Sequence, residues 1–351
     1  MSPGSCSNLG EVCRLSESHP PYIDLHTHLR GTITPDIARR LATKHGLVLG
    51  SELFASASSF AWRGFPGFLQ TYAAIGNAVK DAEDLYFLTE QWLVASARDG
   101  TIYSEVMLSP AHIEQNGIPL PDQLAAVQAG IDAARGQSGI EARVVATCIR
   151  HHGPGEAENL VRRLERLSNP IVVGFGLTGD EHKFEPSDFA RAFAIAADIG
   201  LGCTAHAGEW RGADSVAEAV RQLRLKRIGH GVRAIDDRDV LASLVENNVG
   251  WEICLSSNLR LKYNAQPSQH PLRVLIDAGC RIAFGTDDPG FFDTTTQKEY
   301  SLAEREFGLT SADLFKVSSD AIDMAFCDPD TKIRLRRTLL SKSDANETKP
   351  S

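Results

Sequence analysis

The sequence has 351 residues, 42% of them hydrophobic, and a formal charge of −9 with acidic and basic residues mixed along the chain. That length accommodates one large domain or two small ones, and the absence of a basic stripe argues against a nucleic-acid groove. No apolar run reaches the roughly 18 residues of a membrane span, and the seven scattered cysteines, with no C-x-x-C pair, read as buried free thiols in a reducing compartment.

Residues 1–20 are rich in Ser, Pro and Gly and are expected to form a flexible tail. They show neither the charged nor the apolar region of a signal peptide, so a cytoplasmic location is expected. Tyr22 to Leu29 alternates as a strand, which sets His26 and His28 side by side on one face. Such a pair holds one metal ion or is two unrelated histidines, and the triplet alone does not choose. Thr34 reads as an N-cap with Pro35 at the first helical position, and Gly46 closes that helix.

Residues 51–72 concentrate Phe54, Phe60, Trp62, Phe65, Phe68 and Tyr72 among Gly, Ser and Pro. Clean helical periodicity is missing, so the segment reads as an insertion covering a pocket or as a packed surface loop. A helix from Ala82 to Arg98 follows. Strands then alternate with amphipathic helices: Thr101 to Leu108, Ala142 to Ile149, Ile171 to Leu177, Gly202 to His206, Arg227 to His230, Gly250 to Leu255 and Arg281 to Thr286. With the first strand this makes eight units. Strict alternation implies a parallel sheet covered on both faces, and eight units imply a (β/α)8 TIM barrel in an α/β class fold. A doubly wound sheet is the alternative, but no Gly-rich turn follows the first strand. The barrel domain is expected over residues 21–340, with a disordered tail at 341–351.

In such a barrel the active site forms at the C-terminal ends of the strands. Here those ends carry His26 and His28, T-G-D-E at 178–181, H-A-G-E at 206–209, His230, S-S-N at 256–258 and T-D-D-P at 286–289. A catalytic first-row metal takes three or four N/O ligands and keeps a position for water. His26, His28, His206 and Asp287 have that chemistry, with no cysteine among them. Glu209, three residues past His206, suits a general acid/base, and His230 is a second candidate. The fourth strand has no lysine to bridge two metals, so one metal is expected.

The motifs H-T-H-L-R-G, T-G-D-E, T-A-H-A-G-E, R-I-G-H-G-V-R, E-I-C-L-S-S-N-L and F-G-T-D-D-P occur in the order seen in the adenosine deaminase family, which the chain resembles from about Ile23 to Met324. The resemblance implies one Zn²⁺ held by His26, His28, His206 and Asp287. It implies that Glu209 shuttles a proton to purine N1 and that His230 orients and helps deprotonate the attacking water. It also implies that Asp288 contacts N7 and the Gly179 backbone N–H contacts N3, and that residues 51–72 form the substrate lid. The implied substrate is a 6-aminopurine nucleoside, most simply adenosine or 2′-deoxyadenosine, a small molecule and not a nucleic acid or a membrane.

Two positions depart from the family pattern. Arg30 stands where an acidic residue usually contacts the sugar, and Gly176 stands where an aspartate is common. Arg30 favours an anion or a plain acceptor as its substrate partner, or else pairs with a neighbouring carboxylate. Free adenine, or a 5′-modified, phosphorylated or N6-substituted adenine nucleoside, is therefore the alternative substrate.

Overall fold

A computed structural model describes residues 19–261 and 266–347. Eight parallel strands run in sequence order: β1 (Tyr22–His28), β2 (Thr101–Leu108), β3 (Glu141–Ile149), β4 (Val172–Thr178), β5 (Gly202–Ala207), β6 (Arg227–His230), β7 (Gly250–Ile253) and β8 (Arg281–Phe284). A parallel bridge between Thr27 and Asp287 brings the last strand round to the first. There His28 N donates to Asp287 O at 2.8 Å, and Asp287 N to His26 O at 2.8 Å. The result is a (β/α)8 barrel. Its strands carry near-continuous buried runs because side chains fill the interior and helices cover the outside.

Local signals place the helices. In α1 (Pro35–His45) the Thr34 hydroxyl accepts from Ile37 N, Pro35 opens the first turn, and Gly46 ends it at φ 62°. The helix α2 (Gly64–Gly76) lies within and beyond the aromatic segment, where an irregular cover was expected. Its periodicity is weak because it is apolar on two sides. Phe68 stacks on Phe292 at 5.3 Å on the barrel, while Phe65, Phe68, Leu69 and Tyr72 also line a cavity beneath. Helix α3 (Ala82–Arg98) matches its expected bounds and begins with an Asp81–Asp84 capping box.

A second cluster, in which Ile23, Leu25, Tyr103 and Ala283 pack with Ile322, Met324, Leu335 and Leu339, closes the end of the barrel away from that cavity. Leu335 and Leu339 belong to a helix, Pro329–Glu347, that the sequence reading did not include. Residues 341–347 of the expected disordered tail are part of it; 348–351 and the expected N-terminal tail through residue 18 lie outside the described residues. Among the described residues no helix is long and apolar enough to cross a membrane.

Candidate active site

The cavity under α2 is lined at one end by His28, Gly179, His206, Glu209, Asp287 and Asp288, at the C-terminal ends of strands. His26 and His28 share a face of β1, as alternation requires. His26 is fully buried, and its Nδ1 meets Glu252 Oε2 at 2.7 Å. With Nδ1 engaged there, Nε2 faces inward, toward Asp287 Oδ1 at 3.6 Å. His28 Nε2 lies 3.2 Å from the same oxygen. His26, His206 and His230 form a second group of mutually close ring nitrogens, and the Nε2 atoms of all three are buried without a protein partner.

The electrostatics call for one cation. Burial works against a charged His26, yet Asp287 and Glu252 outweigh it and push its pKa up to about 10. Burial also opposes charge on Asp287, but the adjacent His26 and His28 rings hold it well below the usual carboxylate range. His206 is pushed well down by burial and by the neighbouring His26 and His230, so its ring is neutral and offers a lone pair. A buried acceptor set of imidazole nitrogens and one carboxylate, with no thiolate, fits a divalent first-row metal.

Two candidate carboxyls have the opposite character. Burial, Asp287 and Glu181 raise Glu209 well above its ordinary value, and burial with Asp287 does the same to Asp288. The direction favours the protonated form of each, the form that can donate a proton. The His230 and Glu209 side chains face each other, with Nε2 to Oε2 at 3.8 Å. His230 (φ 63°) and Asp287 (φ 58°) hold left-handed backbone just beyond or at a strand end, strain concentrated where side chains must be aimed.

Behind these residues lies a buried support of charged side chains. Arg227 Nε pairs with Glu252 Oε1 at 2.5 Å and Arg227 Nη2 with Glu105 Oε2 at 2.6 Å, all fully buried. Glu105, Arg227, Glu252 and His26 thus form one charged chain that fixes the His26 ring. Glu181 accepts from the backbone N–H groups of Glu209, Trp210 and Arg211 at 3.1, 3.0 and 2.8 Å, and so shapes the loop carrying Glu209. Charged residues inside apolar strands, such as Glu252 within G-W-E-I-C-L, were the available signal.

Arg30 does not join the site. Its guanidinium is buried, lies 5.0 Å from the Tyr72 ring centre, donates to Tyr72 O at 3.4 Å, and does not line the cavity. Among the described residues no carboxylate pairs with it, and its Nε and Nη1 have no hydrogen-bond partner. The reason is geometric: Arg30 sits in a short 3-10 turn, Leu29–Thr32, that directs it under α2 near Gly76. At Gly176 a Cβ would come within 2.8 Å of the Thr147 methyl, so β3 occupies the space of any side chain there.

A model of the family described as adenosine deaminase matches residues 21–342. The adenine deaminase of Rhizobium johnstonii is 40% identical over 325 residues, 93% of this chain and 99% of its own. That of Agrobacterium fabrum is 39% identical over 318 residues, 91% of this chain and 97% of its own. Among solved structures, the adenine deaminase from Arthrobacter aurescens superposes with a TM-score of 0.86 at 25% identity, over 93% of this chain and 99% of its own. An amidohydrolase from Burkhoderia ambifaria, solved with bound Zn, superposes with a TM-score of 0.85 at 25% identity, over 95% and 94%. The chain belongs to the adenosine deaminase family of metal-dependent amidohydrolases and is a hydrolytic deaminase acting on C–N bonds.

Proposed function

We propose that this deaminase is zinc-dependent and acts on free adenine, so that adenine and water give hypoxanthine and ammonia. The observation that carries the choice of base over nucleoside is the 40% identity to an adenine deaminase over 93% of this chain and 99% of the relative. This revises the expectation of adenosine drawn from the motifs. The position of Arg30 agrees: the site that would meet a sugar hydroxyl with a carboxylate presents no side chain to the cavity. The same placement removes the motive for a phosphorylated substrate.

His26, His28, His206 and Asp287 would hold one zinc ion. Bound zinc lowers the pKa of a water from about 15.7 to about 7 and so supplies the nucleophile at neutral pH. The remaining steps belong to the chain. Glu209, whose protonated form its buried surroundings favour, donates to N1 and makes C6 more electrophilic. Asp288, whose protonated form burial and Asp287 favour, donates to N7, an acceptor in adenine, and the Gly179 N–H approaches N3. His230 faces the oxygen that adds to C6. Phe65, Phe68 and Tyr72 close the cavity against bulk water, which strengthens each of these contacts.

The test is ammonia release from adenine, adenosine, 2′-deoxyadenosine, AMP and N6-methyl derivatives by zinc-loaded protein. The expected kcat/KM for adenine exceeds that for adenosine by at least about tenfold, the scale of a pocket that must exclude a sugar. Preference for any nucleoside or nucleotide would overturn the reading.

A further inference from the structure

Asn258 and His270 lie outside the cavity, yet they form an unbroken buried hydrogen-bond line to His230. Leu272 N meets His270 Nδ1 at 3.2 Å, His270 Nε2 meets Asn258 Oδ1 at 3.1 Å, and Asn258 Nδ2 meets His230 Nδ1 at 3.2 Å. The relative exposures are 5%, 0% and 0% for His270, Asn258 and His230, so the protein, not solvent, decides where each proton sits.

The protons can be assigned from one end. A backbone N–H only donates, so His270 Nδ1 carries a lone pair. Burial pushes His270 down to about 4, so at neutral pH it has a single proton, on Nε2. That Nε2–H needs an acceptor, which the Asn258 carbonyl oxygen provides. The amide orientation is thereby fixed, and its NH₂ faces His230 Nδ1. The flipped amide would set NH₂ against His270 Nε2–H, two donors in contact at a buried position. His230 Nδ1 must then be an acceptor, and its proton is left on Nε2. This nitrogen is the one that faces Glu209 and the histidine cluster and has no protein partner.

We propose that Asn258 and His270 are positioning residues that lock His230 as its Nε2–H tautomer, so that His230 presents a hydrogen-bond donor, not a base, to the oxygen attacking C6. The proposal rests on the deaminase reading above. It assigns His230 the orienting part of its expected role and removes the deprotonating part, which falls to the neighbouring Asp287 carboxylate.

The experiment is ¹⁵N-histidine NMR on the zinc-loaded protein, with the His230 signals assigned by loss in His230→Gln. The expected spectrum shows His230 Nδ1 bare and Nε2 protonated; a protonated Nδ1 overturns the proposal. Asn258→Asp, whose carboxylate accepts from both neighbours, is expected to move the proton to His230 Nδ1. It should lower kcat for adenine about 100-fold, the effect of removing one donor from a reacting oxygen, with KM and zinc content unchanged. His270→Leu should lower kcat as well, and His270→Gln, which keeps a donor toward Asn258 Oδ1, should restore most of it. An Asn258→Asp enzyme within about twofold of wild-type kcat would also sink the idea. If the wild-type protein released ammonia from no aminopurine, the substrate reading would fail, while the tautomer would still be read directly from the spectrum.

Discussion

The two ends of the cavity are built by different means. At the metal end, His26, His28, His206, Glu209, Asp287 and Asp288 all stand on or within four residues of a strand end. The other end is roofed by α2, whose Phe65, Phe68, Leu69 and Tyr72 come from one helix inserted between β1 and β2. Strand ends are located by the alternation of the whole fold, so their chemistry can be read from spacing alone. The roof depends on how one apolar helix settles onto Phe291, Phe292 and Trp210, a matter of packing without a sequence period. The strand-end side is therefore specified many times over, while the roof is held mainly by aromatic contacts.

The sharpest way to test this division is at the reacting end. Glu209→Gln keeps shape but cannot give up a proton. It should leave the zinc content at one per chain and reduce adenine turnover by about 10²–10⁴-fold, the usual contribution of a positioned general acid. Metal analysis and steady-state kinetics on the same preparation check this. Turnover near wild type would remove Glu209 from its role and blur the distinction between the two ends.

An intermediate effect is expected one layer deeper. Glu252 orients His26 through a 2.7 Å hydrogen bond while pairing with the buried Arg227. Glu252→Gln should weaken zinc binding about 10- to 100-fold, as loss of a partner behind a metal-ligating histidine does elsewhere. Competition with a chelator measures it. Thermal stability should fall too, because Arg227 keeps Glu105 but loses its second carboxylate. Unchanged zinc affinity would mean that the charged chain only fills the barrel.

The same contrast shows what could be read in advance. All eight strands, the cap and stop of α1 and the bounds of α3 follow from periodicity, Thr34, Gly46 and the 82–98 pattern. The six clustered polar residues at strand ends follow from the fold that this pattern implies. Arg227–Glu252 and His270–Asn258–His230 were out of reach. Their partners are 25, 12 and 28 positions apart in sequence, and only the closed barrel brings them together. The aromatic segment hid α2 because burial on two sides erases the amphipathic signal. The placement of Arg30 was hidden for a different reason. Its identity is conspicuous in H-T-H-L-R-G, but a short turn sends the side chain behind the cavity wall.

Arg30 gives the smallest expected effect and the most direct test of the roof. Arg30→Met keeps the stem that packs under Tyr72 and Gly76 and removes the guanidinium. Burial depresses the pKa of that guanidinium, and two of its nitrogens have no partner, so its loss releases unmet polar groups. Apolar replacement of such a group is often neutral or stabilising. The variant should keep kcat/KM for adenine within about threefold, gain no activity on adenosine or AMP, and melt no lower than wild type. Kinetics on the three substrates and a thermal melt decide it. A tenfold rise in KM for adenine, or new activity on a nucleotide, would put Arg30 in contact with substrate after all and make β1 a contributor to both ends of the cavity.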